Sequence, residues 1–377
     1  MTIRLWRNAL CAILGLGAMI STSAIAAEAR WAGAWGYAAA SADPGDARLP
    51  SGTFRYRIEI TQSGDQLMLT LTNPDTRDSL AIGPVTVARA AGRDTDSAIA
   101  SMRRVTFAKQ NALNIGPGRA AISDAVAFPV KVGDNLIVSI ALTSGSHPRG
   151  TDLALPVLFV PARDATGEAQ PAGGRTIKVR PFLSLVSVRN PASTCTIVAL
   201  GDSITDGALS KSPTERGWPG RLAARFADQP ANQRCGVVNL GISGNGVLRT
   251  IVGDAVLDRF WRDVAAVPGV THIVFLEGIN DIGTSHLGTV PPLEAESLVA
   301  GYRQLIARAH ALGIKVISGT LTPALHAGYM SPDKERLRLA VNDFVRTSGE
   351  YDAVVDFDAA VRDPASPSDL QSAFDTG

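Results

Sequence analysis

Hydrophobic and polar residues alternate with a period of two in the first half of the chain. Phe54, Tyr56, Ile58 and Ile60 alternate with polar side chains, a Ser-Gly-Asp turn follows, and a second alternating run begins at Leu67. This pattern is typical of a β-hairpin with one buried face. Further short apolar runs up to residue 160 are separated by Gly, Pro, Asn and Asp. They predict an all-β accessory domain over residues 31–190, of the sandwich or jelly-roll kind.

The rhythm changes after residue 194, where short apolar runs are separated by amphipathic helical stretches. The runs are Thr196–Leu200, Val237–Leu240, His272–Leu276, Lys315–Ser318 and Ala353–Val355. Between the third and fourth runs, apolar residues from Leu298 to Ala309 share one helical face, and Gly313 marks the helix end. Such a βα repeat predicts a three-layer α/β/α sandwich with a parallel, flavodoxin-like sheet over residues 194–377. In this class ligands bind at the carboxyl ends of the strands.

Composition and charge exclude several classes of protein. Of 377 residues 45% are hydrophobic and only 19% are charged, which excludes a disordered chain. The formal net charge is +1 and no long run of like charge occurs, so a nucleic-acid partner is not expected. The length suits two domains.

The first 26 residues resemble an export signal. Arg4 and Arg7 precede an apolar stretch, and Ala24-Ile25-Ala26 supplies the small-x-small pattern of a cleavage site. A transmembrane anchor is the alternative, but the stretch is short for a span of about 20 residues. A secreted or periplasmic location is expected, with no membrane span after removal of the signal.

Polar and glycine-rich motifs follow the first three apolar runs. Gly201-Asp202-Ser203 would place a serine beside a helix N-terminus, which suits a nucleophile, although a helix cap is the ordinary alternative. The glycines around Gly244 allow close approach of backbone N–H groups to a ligand, and their order does not fit a dinucleotide loop. Asn280, after the third run, supplies a neutral side-chain donor for an oxyanion.

These three motifs together resemble blocks I, II and III of the SGNH/GDSL hydrolase family of esterases and lipases. Trp218-Pro219 and the segment 320–323 also resemble its secreted two-domain branch, which includes xylan and pectin acetylesterases. By this resemblance Ser203 is the nucleophile, and the Ser203 and Gly244 N–H groups and the Asn280 side chain form the oxyanion hole. The implied activity is carboxylic ester hydrolysis, with an acylated small molecule or polysaccharide as substrate. The resemblance implies no metal and no organic cofactor.

One family block is missing. The family's Asp-x-x-His, which supplies the triad His and Asp, does not occur in this sequence, and Asp375 is not carried over as the triad carboxylate. We expect the hydrolase domain to be truncated at its C-terminus. His286 and His326 are the candidates for a substitute base, since both follow strand ends. The alternative function is a catalytically impaired carbohydrate-binding protein.

Two cysteines remain after the predicted signal, Cys195 and Cys235. Export would place them in an oxidising compartment, where an even pair favours a disulfide. They precede the first and second strands of the predicted sheet, which are neighbours in a 2-1-3-4-5 strand order. We therefore predict a Cys195–Cys235 disulfide and no zinc site.

Overall fold

The structure is a computed structural model. It describes residues 30–43, 45–75, 77–99, 102–150, 155–180, 182–190, 192, 195–208, 210, 217–285 and 292–375. The predicted export signal, residues 1–26, lies outside the described residues, and so does His286.

The N-terminal region consists mostly of antiparallel strands. They are β1 (Trp31–Gly36), β2 (Gly52–Glu59), β3 (Gly64–Thr72), β4 (Leu80–Arg89), β5 (Arg103–Val105), β6 (Leu113–Ile115), β7 (Ala120–Ile122), β8 (Val126–Val130), β9 (Asn135–Leu142), β10 (Pro156–Pro161), β11 (Arg175–Lys178) and β12 (Leu183–Arg189). One sheet has the order β1-β12-β3-β7, with β8 also pairing with β3. The other has the order β11-β10-β2-β9-β4-β5, with β6 also pairing with β4. Alternating side chains of both sheets share one hydrophobic core, so the sheets form a sandwich.

The alternating pattern misplaced one residue of this sandwich. Arg55 lies between Phe54 and Tyr56 on β2 and belongs to the polar face, but it is fully buried. Its guanidinium donates to the backbone carbonyls of Asp96 and Ala169, at 2.9 and 3.1 Å. Loop segments therefore cover a sheet face that the period of two predicts to be open to water.

The C-terminal region is an α/β/α arrangement around one parallel sheet. Its strands are β13 (Thr196–Gly201), β14 (Gly236–Asn239), β15 (Val270–Leu276), β16 (Lys315–Gly319) and β17 (Ala353–Val355). Its helices are α1 (Ser203–Asp206), α2 (Gly217–Ala227), α3 (Val256–Phe260) with a following π-helical turn (Trp261–Ala265), α4 (Ile279–Thr284), α5 (Ala295–Ala311), α6 (Pro332–Thr347) and α7 (Phe357–Val361). The strand order is β14-β13-β15-β16-β17, which confirms the predicted 2-1-3-4-5 order.

Apolar side chains cover both faces of the parallel sheet. Ile197, Val237 and Val274 pack against α2 on one face. Val198, Val238 and their neighbours pack against α3, α5 and α6 on the other. These layers confirm the predicted three-layer fold. The five predicted apolar runs coincide with the five strands to within a residue or two.

The antiparallel region covers the edge strand β14. The Thr61 hydroxyl lies 3.0 Å from both the backbone N and the backbone O of Val237. Gly33 on β1 donates to Thr196 Oγ1 at 2.8 Å. A Cβ on Gly236 would lie 1.9 Å from the Gly33 carbonyl oxygen, so the two backbones touch. The antiparallel region thereby covers one of the two edges of the parallel sheet, the one formed by β14.

The predicted disulfide is present. Cys195 and Cys235 are bonded, with their Cα atoms 4.6 Å apart. They stand directly before β13 and β14, at the amino ends of two neighbouring parallel strands. The bond therefore lies at the amino ends of the strands, and the candidate site lies at their carboxyl ends. Among the described residues, no helix is long and apolar enough to cross a membrane.

Candidate active site

The serine motif forms a tight turn between β13 and α1. Asp202 caps α1, its Oδ1 accepting the Ile204 N–H at 2.9 Å. Ser203 is the first residue of α1 and is partly exposed, and its hydroxyl makes no hydrogen bond within the described part of the chain. A Cβ on Gly201 would lie 2.2 Å from the Leu276 carbonyl oxygen. The turn therefore requires glycine at that position and leaves the Ser203 hydroxyl available.

The glycine-rich loop after β14 packs directly on this turn. Asn239 Nδ2 donates to the Thr205 carbonyl at 2.8 Å. A Cβ on Gly241 would lie 2.3 Å from the backbone N of Asp206, so a side chain there would separate the two loops. Gly244 has a φ of +80°, in the left-handed region that glycine enters without a steric penalty.

The third motif is joined to the second by its asparagine. Asn280, on α4, donates from Nδ2 to the backbone carbonyl of Asn245 at 2.8 Å. This bond uses one of the two N–H groups of the amide and fixes its orientation, so the other N–H is free to donate to a ligand. Gly278 adopts a φ of +128°, and a Cβ there would lie 2.5 Å from Tyr302 Oη. The strand-end loops of β13, β14 and β15 are thus hydrogen-bonded or packed on one another, as predicted.

Arg259, which the sequence analysis did not single out, is hydrogen-bonded to the loops that follow β13 and β14. It is fully buried on α3. Its guanidinium donates to the carbonyls of Gly201 (3.3 Å) and Leu240 (2.7 Å) and to Asn245 Oδ1 (3.0 Å). Asp263, one turn along, pairs with it at 3.0 Å. A sequence feature that could have revealed Arg259 is its pairing with an Asp four residues later within the apolar stripe of a helix, where charged residues are normally absent.

Three carboxyl groups are buried behind the serine turn. Burial raises the pKa of Asp202 to about 7. Burial and the neighbouring charges of Asp202 and Asp281 raise the pKa of Glu277 well above its usual range. Interaction with Glu277 lowers the Asp202 pKa, but burial outweighs it. The charged forms of Asp202 and Glu277 are thus both disfavoured behind the serine turn.

Asp281 has a different role from the other two carboxyls. Burial raises its pKa, but its oxygens accept the N–H groups of Val247 (2.7 Å) and Leu248 (3.0 Å). These bonds anchor the chain that follows the glycine-rich loop. Asp281 therefore acts as a fixed cap for that loop, and its contacts explain why an aspartate follows Asn280.

The histidines do not supply a base for Ser203 within the described residues. His326 Nε2 lies 2.8 Å from Asp369 Oδ1, and the His326 side chain is 80% exposed. It makes no hydrogen bond with Ser203. His272 stands at the amino end of β15, where its Nδ1 lies 2.8 Å from Thr271 Oγ1.

A third described histidine also has another partner. His310 is paired with Asp352 at 2.8 Å on the outer surface of α5. No group of three or more His, Cys, Asp or Glu side chains in the described ranges could hold a metal ion.

Comparison with known proteins agrees with this geometry. Residues 199–376 match the GDSL-like Lipase/Acylhydrolase family. This part of the chain is a GDSL-like lipase/acylhydrolase domain. The matched range includes all three strand-end motifs of the GDSL-like domain. A search of curated proteins finds no match.

Several solved structures resemble the chain. A GDSL-like lipase from Bacteroides thetaiotaomicron has 19% identity and a TM-score of 0.34, covering 48% of this chain and 77% of its own. An acetylxylan esterase from Geobacillus stearothermophilus has 20% identity and a TM-score of 0.32, covering 40% and 71%. A member of the lipolytic G-D-S-L family from Veillonella parvula has 20% identity and a TM-score of 0.32, covering 43% and 78%.

Proposed function

We propose that the GDSL-like domain is a carboxylic ester hydrolase with Ser203 as its nucleophile. The observation that carries this proposal is the meeting of three strand-end loops around a serine whose hydroxyl has no hydrogen-bond partner among the described residues. A serine at the start of a helix is also close to free N–H groups that favour developing negative charge.

The proposed reaction has two halves. Ser203 Oγ attacks the ester carbonyl carbon and loses its proton to a base, and the carbonyl oxygen becomes an oxyanion. The N–H groups of Ser203 and Gly244 and the unused N–H of Asn280 donate to that oxyanion. Collapse expels the alcohol, which takes up the proton, and leaves an acyl-serine. Water then attacks the acyl-serine by the same route and releases the acid.

The base is the part of this mechanism to which no residue of this chain is assigned. An Asp-x-x-His segment, as in the SGNH/GDSL family, is the proposed source of the base and of the carboxylate that orients it. The second candidate function, a carbohydrate-binding protein with a largely silent crevice, is favoured by one observation: His272, His310 and His326 are all engaged with residues other than Ser203.

The proposed substrates are short acyl esters, with acetyl groups on polysaccharide first among them. This choice rests on the resemblance to secreted acetylesterases in segments such as 320–323. We also propose that the chain is exported. The sequence of residues 1–26 supports export, and so does the Cys195–Cys235 disulfide, because such bonds persist in oxidising compartments.

Hydrolysis of 4-nitrophenyl acetate and of acetylated xylan tests the proposal in four proteins. They are the chain as printed, the same chain with an appended Asp-x-x-His segment, and the Ser203→Ala and Asn280→Ala variants of the extended chain. We expect slow or no turnover by the printed chain and esterase activity in the extended one. Ser203→Ala should abolish that activity, and Asn280→Ala should lower kcat by roughly 10²–10³.

Different outcomes separate the two candidates. An inactive but folded extended chain that still binds acetylated xylan would favour the carbohydrate-binding function. Ordinary esterase rates from the printed chain, lost on Ser203→Ala, would mean that a residue such as His286 or His326 serves as the base. Full activity after Ser203→Ala would remove Ser203 from the mechanism.

A further inference from the structure

A buried arginine of the antiparallel region reaches into the candidate active site. Arg180 lies between β11 and β12 and is 4% exposed. Its guanidinium pairs with Asp206 of α1 and donates to the carbonyls of Ala38 (3.1 Å) and Gly241 (3.3 Å). Its central carbon lies 4.4 Å from the centroid of the Tyr37 ring. One side chain therefore contacts both the antiparallel region and the glycine-rich loop.

Asp206 links Arg180 to the loop that carries Gly244. It is the last residue of α1, three positions after Ser203, and is 1% exposed. Its Oδ2 pairs with Arg180 and also accepts from the backbone N (3.2 Å) and the Oγ (2.7 Å) of Ser243. Ser243 directly precedes Gly244. A single carboxylate oxygen thus joins the serine turn to the proposed oxyanion donor.

The charge of Arg180 matters to this junction. A buried carboxylate that loses its cationic partner is strongly destabilised and tends to reorient or take up a proton. Either response would weaken its hold on the Ser243 N–H and hydroxyl. The Gly244 N–H, one residue further, would then no longer be held in one direction, and a donor misplaced by about 1 Å loses much of its effect.

We propose that Arg180 is a positioning residue that sets the direction of the Gly244 N–H through Asp206 and Ser243. The antiparallel region thereby contributes to the active site through Arg180. This inference rests on the proposed function for its catalytic meaning. The alternative is that Arg180 only fastens the two regions together.

Hydrogen–deuterium exchange of the full chain tests the positional part without any need for turnover. The variants are Arg180→Lys, Arg180→Met and, as a matched control, Arg55→Lys, which removes a buried arginine with no contact to the site. We expect about tenfold faster exchange in residues 241–246 of Arg180→Met, a smaller change in Arg180→Lys, and no change there in Arg55→Lys. Exchange in β14 should stay as in the unsubstituted chain.

A double substitution guards against a variant that does not fold. In Arg180→Met/Asp206→Asn the unpaired charge is gone, so the protein should be more stable than Arg180→Met while the 241–246 loop still exchanges faster. Unchanged exchange of that loop in all folded Arg180 variants would overturn the proposal.

Kinetics of the extended, ester-hydrolysing chain separate positioning from fastening. Arg180→Met should lower kcat per folded molecule by about 10–100-fold with KM within about twofold, Arg180→Lys should lower kcat by less, and Arg55→Lys should leave both unchanged. A loop that exchanges faster with an unchanged kcat would overturn the catalytic meaning and favour simple fastening. If the extended chain itself hydrolyses no ester, the proposed function fails, and the exchange experiment alone decides whether Arg180 positions the loop.

Discussion

Removing the Cys195–Cys235 disulfide should cost stability and leave the site intact. The bond joins residues 40 apart in sequence. In the chain-entropy description, closing a loop of that length restricts the unfolded chain by an amount worth about 4 kcal/mol at 25 °C. Replacement of both cysteines by serine is therefore expected to lower the free energy of unfolding by about 4 kcal/mol. This is a large share of the roughly 5–15 kcal/mol that stabilises a typical domain.

The site should be spared because of where the bond lies. Cys195 precedes β13 and Ser203 follows it, and the six residues of that strand span about 20 Å. The loop closed by the bond contains the serine turn, but that turn is held by contacts with Gly241, Asn239 and Arg259 at the other end of the sheet. Those contacts do not involve either cysteine.

Urea unfolding followed by circular dichroism measures the effect. The proteins are the oxidised chain, the Cys195→Ser/Cys235→Ser variant, and both of these in dithiothreitol. The reductant should destabilise the parent chain to the level of the variant and leave the variant unchanged. The slope m, the dependence of the unfolding free energy on urea concentration, should be larger without the bond, because the unfolded chain then exposes more surface. A difference in unfolding free energy below about 1 kcal/mol would refute the entropic reasoning.

Two further predictions concern the serine turn. Gly201→Ala should destabilise the protein by about 3 kcal/mol or more, since the new Cβ meets a carbonyl oxygen at 2.2 Å. Gly167→Ala, with open space around it, should leave the melting temperature unchanged, and an equal loss in both variants would contradict the steric account. Asp202 keeps its proton in the folded state up to pH about 7, against about 4 when unfolded, so its contribution makes stability fall as pH rises between those values. Asp202→Asn retains the helix cap, so the free energy of unfolding of this variant, measured by urea titration, should fall less between pH 4.5 and 7.5. An equal fall in the parent chain and the variant would show that another group causes it.

Periodicity predicted the parallel sheet and its helices well. The stripe from Leu298 to Ala309 is buried on α5, and Gly313 follows the helix with a φ of +70°. These features depend on short-range chemistry, namely the 3.6-residue repeat and the conformational freedom of glycine. The strand order was the one expected of a flavodoxin-like sheet. The adjacency of the three motifs then followed from the geometry of any such sheet.

The buried arginines could not be predicted in the same way. Arg55, Arg180 and Arg259 are satisfied largely by backbone carbonyls, and every residue in a sequence carries one. Which carbonyls are left unpaired and gathered around a guanidinium depends on how loops from distant segments fold together. The roles assigned to Ser203, Gly244 and Asn280 stay predictions, since no contact in the structure involves a substrate.

The contact of Thr61 with Val237 bears on whether the GDSL-like domain can be used alone. An uncovered edge strand offers a row of free N–H and C=O groups on which a strand of another molecule can pair. In this chain the antiparallel region covers β14, where Thr61 bonds to the backbone N and O of Val237 and Gly33 packs against Gly236. A fragment beginning at residue 194 would therefore expose β14 as an unpaired edge strand, and its self-association should increase with its concentration. By covering β14, the first half of the chain protects the second half from aggregation.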